Sequence, residues 1–203
     1  MIIAILIVIC LVIVFFFNHN PAETSVDKVI FQVVSMATTT GFSVDNSAWP
    51  PVLPILLICS TFIGGCAGST GGGLKVVRVL LLYMQGSREL KRLIHPSAIY
   101  SLKLNGRVVP DRIIEAVWGF FSAYALVFFV SFFIVIACGM SSGEAFYIVA
   151  SSLNNLGISI NDASDTFHHV NDMVKWIMVI DMLFGRLEIF TLLVILTPSF
   201  WKN

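Results

Sequence analysis

"FIGGCAGSTGGGLK", residues Phe62 to Lys75, is the stretch on which the fold turns. Six of its fourteen residues are glycine, yet it lies inside an apolar run from Val52 to Tyr83. Each glycine in a helix interior costs about 1 kcal/mol against alanine. A single helix over that run would rise about 45 Å, whereas the hydrocarbon core of a bilayer is ~30 Å thick. Part of the run is therefore not transverse helix, and the glycine cluster is that part. Backbone unwound at membrane depth survives only where protein covers it or water reaches it.

Composition sets the class. The chain is 57% hydrophobic and 12% charged, with a mean hydropathy of +0.91, which points to a membrane protein. Its formal net charge of zero argues against a nucleic-acid partner. Cys10, Cys59, Cys66 and Cys138 sit in apolar stretches without CxxC spacing, so neither a disulfide framework nor a metal site is expected. His168 and His169 are adjacent in a polar stretch and read as solvated loop residues. An enzyme built on a phosphate-cradling loop fails on spacing: Leu74 separates Gly73 from Lys75, and Val76 stands where Ser or Thr is required. No enzymatic activity is expected.

Four stretches can span a bilayer: Met1 to Phe17, Val52 to Tyr83, Glu115 to Cys138 and Met173 to Thr197. The first has no basic leader or small-residue cleavage site, which argues against a signal peptide. Eight of the twelve basic residues fall between Lys75 and Arg112, while the connections Asn18 to Pro51 and Gly139 to Asp172 hold seven acids and only Lys28. The positive-inside rule places the basic loop and both termini in the cytoplasm. The expected organisation is a pore-type unit over 1–84, a basic cytoplasmic linker over 85–114 and a second unit over 115–203.

The two outer connections repeat one pattern. Setting Gly41 over Gly157, 116 residues apart, brings "MATTTGFSVDN" over "SSLNNLGISIND". Each copy opens with a capping-box spacing, Thr24 with Asp27 and Ser141 with Glu144. Each continues as a short apolar stretch, Val29 to Ala37 and Ala145 to Leu153, which is too short to span and fits a re-entrant helix. Small polar residues and a glycine follow. The fold class predicted is an all-α polytopic membrane protein of two tandem units, each an outer helix, a re-entrant pore helix, a filter loop and an inner helix. A re-entrant helix aims its negative C-terminal end at the membrane centre, and extended backbone beyond it can offer carbonyls to a cation.

Together "ATTTGFS", "FIGGCAGSTGGGLKVVR", "LNN-x-G" and "GRLEIFTLLVILTPSFW" resemble the third and fourth repeats of the Trk/Ktr/HKT superfamily of potassium transporters, in its bacterial TrkH branch. The resemblance implies a carbonyl-lined potassium filter at Thr39, Thr40, Gly41, Asn155, Leu156 and Gly157. It also implies a gate in the loop beneath, of Gly64, Gly65, Gly68, Ser69, Thr70, Gly71, Gly72, Gly73 and Lys75, faced by Arg186. Arg186 lies near mid-membrane, where an arginine costs about 2.5 to 3.5 kcal/mol and needs partners, for which the loop carbonyls are suited. Ile158-Ser159 departs from the family's proline-glycine pair after the fourth filter glycine.

Two repeats supply half of a four-repeat ring. The resemblance implies that first and second repeats complete the pore, that the whole transporter is a homodimer in the bacterial inner membrane, and that nucleotide-binding regulatory subunits sit beneath it. The chain is expected to be the C-terminal half of such a product, because Met1 opens within an apolar helix lacking a basic flank. The competing expectation is a non-conducting remnant or assembly subunit of the transporter. Choice of sodium over potassium, and the coupling ion in any symport, are left open by these residues.

Overall fold

A computed structural model describes residues 2–17, 26–43, 49–50, 52–65, 69, 71–95, 98, 101–104, 106–157 and 170–187. Among them are α1 (Ile2–Phe17), α2 (Val26–Ala37), α3 (Val52–Ile63), α4 (Val76–Ile94), α5 (Asp111–Ala137), α6 (Ser142–Leu153) and α7 (Asp172–Arg186). A small antiparallel hairpin, β1 (Lys103–Leu104) with β2 (Arg107–Val108), lies between α4 and α5. Only α5, of 27 residues, is long and apolar enough among the described residues to cross a membrane unbroken; α1 and α3 are shorter apolar helices. Residues beyond Leu187, which complete the expected last span, lie outside the described residues, as do Thr24, His168 and His169.

The expected break is present: α3 ends at Ile63 and helix resumes only at Val76. The expected pore helices α2 and α6 are each 12 residues, about 18 Å of rise, too short to cross. The capping box expected at Ser141 is formed: its hydroxyl accepts from the Glu144 N–H, and the Glu144 carboxylate accepts from the Ser141 N–H at 3.2 Å.

Two helices outrun the apolar stretches that announced them. The second helical stretch continues past Tyr83 to Ile94, with Gln85 donating to Glu89 at 2.8 Å one turn on. Lys91 and Arg92 close it, where positive charge suits the negative helix end. α5 starts at Asp111 rather than Glu115, and Asp111 takes the Arg88 guanidinium at 3.0 Å. An apolar count ends where lipid ends, whereas hydrogen-bonded helix continues into the polar layer.

Two hydrophobic cores form, and they interlock. Cys10, Val14, Val29, Val33, Met36, Leu53 and Leu57 join α1, α2 and α3, and Leu156 from the second unit is buried with them. Phe120, Tyr124, Phe128, Val149, Leu153, Val174 and Met178 join α5, α6 and α7, and Ile58 and Leu74 from the first unit enter there. Phe62, at the end of α3, meets Tyr124, Phe128 and Phe146 with ring centroids 6.2, 5.6 and 6.4 Å apart. Buried Ser131 donates to Asp181 at 2.6 Å, tying α5 to α7. A prediction concerns the start of α6. Ser141→Ala should lower the unfolding free energy in detergent by about 1 kcal/mol, with a lower midpoint, and Ser141→Asp should keep both near wild type. Equal midpoints for Ser141→Ala and wild type would show that the cap contributes nothing.

Candidate ion pathway

The ends of α2 and α6 are built alike, bond for bond. Past α2, the N–H groups of Thr38, Thr39 and Thr40 donate to the carbonyls of Val34, Met36 and Ser35 at 3.0, 3.1 and 2.9 Å. Past α6, those of Asn154, Asn155 and Leu156 donate to Ala150, Ser152 and Ser151 at 3.1, 3.0 and 2.8 Å. Every partner is offset by the same 116 residues that aligned the sequences. The pattern is a Schellman helix end, which needs a left-handed residue at its turn. Thr39 and Asn155 take that place with φ of +54° and +55°. Two residues on, Gly41 and Gly157 have φ of +89° and +72°, which a β-carbon disfavours.

Left-handed backbone at a β-branched residue such as Thr39 is strained, at a cost on the order of 1 to 3 kcal/mol. Among the described residues only Thr39, Lys75 and Asn155 are non-glycine with positive φ, and all three lie in this region. Side chains brace the first loop: Ser35 donates to the Phe42 carbonyl at 2.5 Å, and the Thr38 and Thr40 hydroxyls are 2.6 Å apart. No backbone donor among the described residues pairs with the carbonyls of Thr39, Thr40, Asn155 or Leu156. The two loops also touch, since a β-carbon on Gly41 would run into the Leu156 carbonyl.

The glycine loop folds back on itself beneath them. Leu74 donates to the Phe62 carbonyl at 2.9 Å and Val76 to Gly65 at 3.2 Å, so unwound ends of α3 are paired within the loop. A β-carbon on Gly71 would stand 2.8 Å from the Thr39 hydroxyl, and one on Gly72 would strike the Asn154 backbone. The loop is thus seated against the turns that end both α2 and α6. Gly68 and Thr70 lie outside the described residues.

Asn154, which the sequence reading passed over, is the hub. It is fully buried. Its amide nitrogen donates to the Thr61 hydroxyl at 3.1 Å and to the Ala150 carbonyl at 2.9 Å, and its oxygen accepts from the Tyr124 hydroxyl at 2.8 Å. One side chain therefore joins α3 at the break, α6 at its C-terminal end and α5. Gly185 was also missed: a β-carbon there would strike the Leu153 carbonyl. The Asn155 amide completes that seat, donating to the Met182 carbonyl at 3.2 Å and accepting from the Arg186 N–H at 3.1 Å. The doubled asparagine at 154–155 was the available signal.

Arg186 and Lys75, expected at the gate, come together. With Ser69, Gly71, Gly73, Arg78 and Tyr124 they line one cavity of about 240 Å³. Arg78, also missed, stacks on the Phe120 ring at 4.1 Å. Among the described residues no acidic side chain lines this cavity, and three basic ones do.

Interlocked apolar helices, two of them too short to cross, with internally paired backbone at the break, define a helical membrane transport fold. The chain belongs to the TrkH family of cation transport proteins, whose model matches residues 2–202. It is similar to the Trk system potassium uptake protein TrkH of Salmonella typhimurium, 58% identical over 98% of this chain. The TrkH protein of Escherichia coli K12 matches equally, at 58%. The crystal structure of the potassium transporter TrkH from Vibrio parahaemolyticus superposes with a TM-score of 0.89 at 51% identity, over 98% of this chain and 43% of that one. The chain spans 41% of the length of the Salmonella and E. coli relatives.

The close approach at Gly72 generates a prediction. Gly72→Ala should lower the yield of folded, monodisperse protein several-fold, because the Asn154 backbone occupies the β-carbon's place. Gly86→Ala, in the open on α4, should leave yield unchanged or raise thermal stability, as alanine is the better helix former. Size-exclusion profiles and melting curves separate the two.

Proposed function

We propose that the chain supplies two filter loops of a potassium uptake pathway in the bacterial inner membrane, with a gate at the glycine loop. The observation that carries this reading is the duplicated, bond-matched helix end, with its strained residue and its left-handed glycine. Ordinary extracellular turns have no reason to share strain at the same offset, or to face one another above a broken helix. The carbonyls of Thr39, Thr40, Asn155 and Leu156 replace water around a dehydrating cation. The C-terminal ends of α2 and α6 add negative field at the same point.

Beneath them Lys75, Arg78 and Arg186 line the cavity, and the loop from Gly64 to Gly73 obstructs the path. Displacement of loop and arginine together opens it. The small residues of the loop let it move without leaving large voids, as a two-state element requires. Both termini and the basic segment face the cytoplasm in this reading, and four spans frame the two loops. First and second repeats complete the ring, and a dimeric transporter on nucleotide-binding regulatory subunits is the assembly the family resemblance implies.

Rescue of a potassium-uptake-deficient bacterium tests the half-pore assignment, with this chain alone and then with a co-expressed two-repeat half. Growth at low potassium only with both halves supports it. No growth with a well-expressed pair favours the non-conducting remnant.

Two outcomes are expected in the conducting assembly. Gly41→Ser and Gly157→Ser should each lower the ratio of potassium to sodium uptake, because serine disfavours the left-handed backbone at both sites. Gly41→Ser should be the more damaging, as its side chain also meets the Leu156 carbonyl. Unchanged ratios in both would remove these glycines from the filter. Separately, Arg186→Gln and Arg186→Ala should speed uptake at normal membrane yield; poor yield without a gain in rate would make Arg186 a structural tie.

A further inference from the structure

We propose that a second cavity, at the C-terminal half of α4, holds the phosphate of an anionic phospholipid. This rests on the membrane setting of the fold, not on ion conduction. The cavity measures about 310 Å³ and is lined by Tyr83, Ser87, Arg88 and Lys91 of α4 and by Ser101 and Lys103 beside the hairpin. It shares no lining residue with the cavity beneath the filter.

Three cations converge there with the hydroxyls of Tyr83, Ser87 and Ser101, and among the described residues no acidic side chain lines it. Arg88 is committed: its side chain is only 18% exposed and pairs with Asp111 at 3.0 Å and Glu89 at 3.7 Å. It forms a fixed wall that joins α4 to α5. Lys91 and Lys103 are exposed, and neither has a carboxylate partner among the described residues. Lys103 is held in place by the hairpin, paired across to Val108, while Leu102 beside it is buried and accepts from the Val109 N–H at 2.9 Å. Two preset ammonium groups with hydroxyls nearby suit a phosphate monoanion.

The apolar surface beside them identifies the phosphate as a lipid's. Leu80, Tyr83, Leu90 and Ile94 are all exposed, and their three- and four-residue spacing puts them on the side of α4 that carries Ser87 and Lys91. An acyl chain lies along that stripe while its headgroup enters the cavity. Tyr83, 73% exposed, has the amphipathic character typical of the membrane interface. A soluble anion would use the lysines and leave the stripe bare.

The test uses the full chain, purified in nonionic detergent, with bound lipid counted by native mass spectrometry. Phosphatidylglycerol should be retained in preference to phosphatidylcholine. Lys91→Gln and Lys103→Gln should each weaken retention about fivefold, the effect of one basic residue near an anionic surface. Lys91→Arg with Lys103→Arg should restore it. Tyr83→Ser should weaken it without a change of charge, and Lys175→Gln, outside the cavity, should leave it unchanged. Equal retention of both lipids, or insensitivity to both lysine variants, would overturn the proposal. Displacement of the lipid by inorganic phosphate, with Tyr83→Ser silent, would also overturn it in favour of a soluble anion. None of these readouts depends on transport.

Discussion

Everything in the centre of this molecule depends on satisfying backbone that has left the helix at membrane depth. The N–H groups of Leu74 and Val76 return to the Phe62 and Gly65 carbonyls across the break, and the Asn154 amide ties together the elements around it. It engages Thr61 where α3 ends, Tyr124 on α5 and the last turn of its own helix. Removing it would strand a buried tyrosine hydroxyl, at a penalty of about 1 to 3 kcal/mol. The glycine loop then closes over the same point, with Gly72 against the Asn154 backbone.

Strain and pairing answer one another in this region. The three non-glycine residues with positive φ among those described are Thr39, Asn155 and Lys75: one after α2, one after α6 and one at the entry to α4. Each sits next to a tightly bonded segment. Hydrogen bonds of the Schellman ends hold Thr39 and Asn155, and the Leu74 and Val76 N–H groups bracket Lys75. Local strain of this kind persists only where the surroundings over-determine it. Apolar packing supplies the frame, and the polar bonds fix the conformation within it.

Much of this was legible because glycine and apolar length are strong signals. The break after Ile63, the two short helices α2 and α6, the Ser141 cap and the matched positions of Gly41 and Gly157 all follow from spacing. The ends of α4 and α5 did not, since charged helical turns beyond the bilayer look like loop by hydropathy. The doubled asparagine marked the place, but the long-range contacts of Asn154, Tyr124 and Gly185 were illegible for a different reason. Their partners lie 93, 30 and 32 residues away, at Thr61, Asn154 and Leu153, and a single sequence has no period that links them. Arg78 was read as one more basic residue, and only the Phe120 ring beneath it distinguishes it.

Leu156 ends one loop and belongs to the other. Its side chain is buried among Val33, Leu53 and their neighbours in the first core, while its carbonyl faces Gly41. Ile58 and Leu74 make the reverse crossing into the second core. The two halves of the described chain are therefore one cooperative unit built on shared cores. Neither half can open locally without exposing apolar surface of the other. Amide protons of the two loops should share a single opening free energy, and a cut between the repeats would yield two incomplete cores instead of two domains.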